Sequence, residues 1–228
     1  MKKYILFLLV AGILLAELTF QSDARIGFLL YAFLVGGVLI ALSSDYYAGP
    51  STKIIISFMI LPLLRISEIF LKLSYFSRVL FIYTSLAFLV IFYTYRFEKH
   101  VGFTKRYLAW LPVAIIIGIA LGVLGNYIFA LDRHIELLYL MPLVAFSEEM
   151  LFRGLIQKEL RENYSHLMSI FVSALLYFIF GLSYGVLIAV FFFAVSIISA
   201  IFYDKTQNIY LSIALNFCVN AIIFGFML

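Results

Sequence analysis

Apolar residues come along this chain in long continuous runs, broken by short polar stretches, and do not alternate with polar ones. Coiled as a helix, about 18 apolar residues or more match the thickness of a bilayer core. Nine such segments are expected: Tyr4–Phe20, Ile26–Ser43, Ile54–Leu71, Val79–Tyr95, Tyr107–Leu131, Leu137–Leu160, Leu167–Tyr184, Gly185–Tyr203 and Ile209–Leu228. No charged loop separates Tyr184 from Gly185, so eight spans is the alternative count. The pattern predicts an all-α, polytopic transmembrane helical bundle. A transmembrane barrel is disfavoured, because its strands would alternate.

Composition agrees. The chain is 65% hydrophobic and 12% charged, where a soluble domain is about half apolar and a quarter charged. The net charge of +4 gathers into no basic patch of the kind that holds nucleic acid. With nine spans and the amino terminus inside, ten Lys and Arg residues fall in inside segments and four in outside ones. That bias predicts a multi-pass protein of the cell membrane with a cytoplasmic amino terminus. The opening MKKYILFLLVAGILLA has the look of a signal peptide, but in so apolar a chain it reads as a retained first span. The single cysteine, Cys218, is expected to be a small buried hydrophobe. The polar loop Arg96 to Arg106 divides amino-terminal helices from a carboxy-terminal part. The expected units are residues 1–131, amino-terminal helices, and 132–228, a core that carries the chemistry.

Ionisable side chains in a bilayer core are costly, so each needs a partner or a task. Glu17 lies near one end of the first span, where it can reach the interface. Arg65 and Glu68 are three apart and are expected to pair along their own helix. The stretch VAFSEEMLFRG, Val144 to Gly154, is different. At ~100° per residue, Arg153 falls over Glu149 as an i,i+4 pair and points away from Glu148. Glu148 shares its face with Met141, Val144, Ala145 and Phe152, all apolar. It therefore has no local neutraliser, which is how a general base or acid is set apart from a structural carboxylate.

Polar groups on other helices complete the candidate set. Asn216 and Asn220 are four apart and share a face of an apolar helix, with Ser212 one turn earlier. They would either steady a developing oxyanion or hydrogen-bond between helices. Tyr184 is a phenol donor or an interfacial aromatic.

These residues resemble a family. SEEMLFRG fits the EExxxR motif of intramembrane proteases that include CAAX-processing endopeptidases and bacteriocin-processing or immunity proteins, the CPBP or Abi family. FGLSY, Phe180 to Tyr184, is similar to its FxxxH motif, and the stretch Tyr203 to Asn220 leads into a likeness of its HxxxN motif. The resemblance covers roughly Leu137 to Leu228. It implies endoproteolysis within the membrane. Glu148 would activate a water, Glu149 and Arg153 would organise the site, and the last motif would steady the oxyanion.

The departures are specific. Tyr184 stands where the first motif histidine is expected and Asn216 where the second is; Asn220 matches the final asparagine. Histidine occurs only at His100, His134 and His166, in expected loops. A zinc site wants about three Cys, His or carboxylate ligands, so neither metal nor cofactor is expected. The expected function is glutamate-dependent intramembrane peptide-bond hydrolysis, with Glu148, Glu149, Arg153, Tyr184, Asn216 and Asn220 as catalytic residues. The substrate would be a membrane-associated, lipidated or carboxy-terminally anchored protein or peptide. One rival is an inactive family member that binds a peptide or partner, which the missing histidines favour. The other is a transporter, which would want more midplane carboxylates than Glu17 and Glu68 supply.

Overall fold

The computed structural model describes residues 3–43, 50–70, 74–96, 102–105, 107–129 and 135–224, which form helices and no strands. They are α1 (Lys3–Ser22), α2 (Ala24–Ser43), α3 (Pro50–Phe70), α4 (Tyr75–Arg96), α5 (Leu111–Phe129), α6 (Met141–Glu149), α7 (Lys158–Asn163), α8 (His166–Gly181), α9 (Val186–Thr206) and α10 (Ile209–Phe224). A π-helical stretch, Met150–Gln157, joins α6 to α7 in one rod. Each of the nine expected segments therefore corresponds to one helical rod. Among the described residues, four helical stretches are long and apolar enough to cross a membrane: Phe76–Tyr95, Leu108–Phe129, His166–Tyr184 and Val186–Thr206. Four further apolar helices are shorter. Large apolar side chains such as Leu8, Phe33, Tyr127 and Leu187 face outward, as a bilayer requires and water does not.

Local chemistry sets the helix ends. Ser165 caps α8 by accepting the Met168 amide at 3.3 Å. A 3₁₀ turn, Leu182–Tyr184, ends that rod. Gly185 then turns the chain into α9 with φ +109°, a conformation that a residue with a Cβ rarely adopts. This glycine makes the break that no charged loop marks, so Tyr184 and Gly185 belong to separate rods. Pro142 sits in the first turn of α6, where its missing N–H costs nothing.

Helices α5 and α10 pack through a seam of small residues. A Cβ added at Gly118 would lie 2.7 Å from the Leu215 carbonyl oxygen, and one at Gly122 would lie 2.8 Å from Ile222 Cβ. Only glycine lets these backbones approach so closely. The seam fixes the rotation of α10 and with it the direction of Asn216 and Asn220.

Two expectations change. Glu17 does not reach the interface; it is 1% exposed. It accepts hydrogen bonds from Tyr31 of α2 and from Arg65 Nε, the latter at 3.2 Å. Arg65 also donates to the Phe180 carbonyl oxygen at 2.8 Å and lies over the Phe180 ring. Arg65 thus forms a tertiary ion pair with Glu17 and binds α1, α3 and α8 together; its expected pairing with Glu68 lies outside the described residues. The Glu68 side chain lies outside the described residues, as do His100 and His134. His166 is not in a loop: it opens α8, with Nδ1 2.9 Å from Asp204 Oδ1.

Candidate active site

Glu148 and Glu149 end α6, side by side and both buried. Successive positions on a helix diverge by ~100°, so the two carboxylates face different neighbours. Glu149 faces the cation. Its Oε2 lies 3.2 Å from Arg153 Nε and accepts from Ser199 Oγ at 2.9 Å. Arg153 has no solvent exposure. Its Nη1 donates to Ser173 Oγ at 2.7 Å, and its Nη2 to Ser196 Oγ at 2.5 Å and the Ser196 carbonyl oxygen at 3.0 Å. A buried guanidinium needs its donors satisfied as well as its charge. The serines of α8 and α9 do the first, Glu149 the second.

Glu148 faces neutral donors. Tyr83 of α4 donates to Oε1 at 2.8 Å. Tyr177 of α8 donates to Oε2 at 2.6 Å, and Asn216 Nδ2 to the same oxygen at 3.1 Å. The Asn216 amide also reaches Glu149 Oε1 at 2.9 Å, bridging the two carboxylates. Asn220 Nδ2 donates to Asn216 Oδ1 at 2.5 Å, which turns the Asn216 nitrogen toward the carboxylates.

A carboxylate offers about four lone-pair sites. Tyr83, Tyr177 and Asn216 take three at Glu148. The group also borders a cavity of about 30 Å³, together with Tyr184 and Asn220. That volume accommodates a water molecule. Tyr83 and Tyr177 line it as well, and the remaining walls are apolar, among them Met141, Val144, Phe192 and Phe224.

The expected residues are therefore placed as follows. Glu148, Tyr184 and Asn220 border one cavity; Asn216 stands behind Glu148 and holds it; Glu149 and Arg153 pair on the far side. The donors to the Glu148 carboxylate are Tyr83, Tyr177 and Asn216; Tyr184 lines the cavity beside it. Among the described residues, no cluster of three or more His, Cys, Asp or Glu side chains gathers.

Sequence reasoning missed Tyr83, Tyr177 and the three serines. Tyr83 comes from the amino-terminal helices, where no motif points to it. For the others a signal exists: Ser173 and Tyr177 are four apart, and Ser196 and Ser199 three apart, on otherwise apolar helices. Polar pairs at that spacing share a face that must meet something polar.

Comparison with known proteins bears on the same region. No curated protein and no solved structure matches the chain. One family model does, described as type II CAAX prenyl endopeptidase Rce1-like, over residues 130–222. These residues hold every expected site residue, and every polar site side chain described above except Tyr83. Residues 130–222 thus carry the signature of the Rce1-like type II CAAX prenyl endopeptidases, consistent with the CPBP/Abi membrane-protease family that the motifs resemble.

Proposed function

We propose that this chain is an intramembrane endopeptidase in which Glu148 is the general base. The observation that carries the reading is the state of Glu148: three neutral donors fix it, no cation among its hydrogen-bond partners neutralises it, and it borders a water-sized cavity. Glu148 takes a proton from a water in the cavity. The hydroxide adds to the scissile carbonyl carbon, and Glu148 returns the proton to the amide nitrogen as the C–N bond breaks. Both products leave with atoms and charge balanced.

The oxyanion needs donors aimed at the cavity. Asn220 has one amide hydrogen beyond the one given to Asn216, and Tyr184 borders the same space. Asn216 gives its amide hydrogens to Glu148 and Glu149, so its part is to position both carboxylates. Glu149 and Arg153 hold the rod in place. The histidine tasks of the family thus fall to Tyr177 and Tyr83 as orienting groups and to Asn216 as a fixed amide. The amino terminus is cytoplasmic by the positive-inside bias, and substrates reach the cavity from the bilayer.

The test is cleavage of a farnesylated carboxy-terminal peptide by the protein reconstituted in liposomes. Glu148→Gln keeps the shape and one acceptor oxygen but removes the base, and a loss of about 10²–10⁴-fold is expected. Binding of the peptide without cleavage by the unaltered protein would favour the second reading, a non-catalytic peptide-binding member. The absence of imidazole at both motif positions supports that alternative.

A further inference from the structure

We infer that water reaches Glu148 through a second, arginine-lined cavity, with Tyr83 and Tyr184 forming the wall between the two spaces. The use of that water in hydrolysis rests on the peptidase reading; the route itself does not.

The second cavity measures about 130 Å³ and is lined by Arg65 of α3, Arg78 of α4 and Ser183. Four residues border both cavities: Val79, Tyr83, Phe180 and Tyr184. The two spaces are therefore neighbours across two phenols. Guanidinium and hydroxyl groups draw water into any space large enough for it, and 130 Å³ takes several molecules. The smaller cavity holds only one or two. Each peptide bond cut consumes a water, so a site of that size must be refilled between turnovers. Its remaining walls, among them Leu137, Met141 and Val144, suit an apolar peptide segment and offer no file of hydrogen bonds.

The two phenols bridge the gap. Tyr83 lines both cavities and donates to Glu148 Oε1, so a hydroxyl on the shared wall leads from the second cavity to the carboxylate. Arg65 is held at the buried end of the second cavity by Glu17 and the Phe180 carbonyl oxygen. Arg78 and Ser183 are exposed and open the other end outward. Two separate entrances follow: an apolar one for peptide and a polar one for water. Tyr83 is the positioning residue that joins them.

A thiol placed at the carboxylate reads the route without any turnover. In a Cys218→Ala background, Glu148→Cys is reconstituted in liposomes and exposed to hydrogen peroxide, a probe close to water in size. Oxidation of the thiol to sulfenic acid is followed by mass spectrometry. Oxidation is expected, and it is expected to slow at least tenfold when Ser183→Trp or Arg78→Trp fills the second cavity from either side. Leu187→Trp, on an outward-facing position of α9, controls for a bulky residue nearby and is expected to leave the rate unchanged. No oxidation of the introduced thiol, or equal rates with and without the plugs, overturns the inference. A protein that passes this test yet cuts no peptide refutes the peptidase reading alone. In the Glu148-containing enzyme, the plugs are expected to lower kcat tenfold or more with KM unchanged.

Discussion

Replacing Arg153 with methionine probes the division of labour between the two carboxylates. The change removes a guanidinium that has no solvent exposure and four polar neighbours: Glu149, Ser173, Ser196 and Ser199. Glu149 is then left as a buried carboxylate with only Ser199 and Asn216 for company. Removing one partner of a buried pair costs about 3–5 kcal/mol, against a total stability of about 5–15 kcal/mol. At about 1.4 kcal/mol per tenfold, the unfolding constant rises by roughly two to three and a half decades. For a chain of this size that lowers Tm by about 6–20 °C. The double variant Glu149→Met/Arg153→Met removes both charges and is expected to recover most of the loss, because an apolar pair of similar volume is often no worse than a buried ion pair. Loss of helical circular dichroism reports unfolding in detergent. If the two single losses add in the double variant to within about 0.5 kcal/mol, the side chains are not coupled. The ion pair would then hold nothing together, and Glu149 would no longer be distinguished from Glu148.

Two further outcomes follow from the same geometry. Tyr177→Phe removes a phenol donor from a charged acceptor, worth about 1.5–3 kcal/mol; Tm should fall by about 3–12 °C and cleavage, measured below that Tm, roughly 10–150-fold, and a normal rate would remove Tyr177 from the site. Gly118→Leu forces a side chain against the Leu215 carbonyl oxygen and should cost at least about 1–3 kcal/mol. Its activity should fall as well, because α10 carries Asn216 and Asn220; thermal unfolding and peptide turnover measured together check both effects.

What the sequence made legible is local. The i,i+4 pair of Glu149 and Arg153 could be read because helix geometry alone brings those residues together. The isolation of Glu148 from Arg153 could be read for the same reason. The nine rods were legible from apolar runs, including a break at Tyr184 that depends on one glycine. Contacts between distant segments were not. Arg65 pairs with Glu17, 48 residues distant, a contact that no local spacing signals. Tyr83 meets Glu148 across 65 residues, and nothing in its own apolar helix sets it apart from other tyrosines. The motif likeness directed attention to Tyr184, but the phenol of that rod that touches the carboxylate is Tyr177, two turns earlier. A missing histidine does not say which neighbour takes over its contact; only the packing of α8 against α6 decides that.

The π-helical stretch between α6 and α7 has a consequence for changes in chain length. Its bonds run from i to i+5, so each closed turn holds one residue more than an α-turn. Loss of one residue within Met150–Gln157 lets the rod relax to ordinary α-helix, while a loss elsewhere in it rotates everything beyond by ~100°. The rod carrying both carboxylates thus has one place where a deletion is absorbed. Arg153 lies inside that stretch, so only a deletion beyond it, within Gly154–Gln157, would leave its pairing with Glu149 in place.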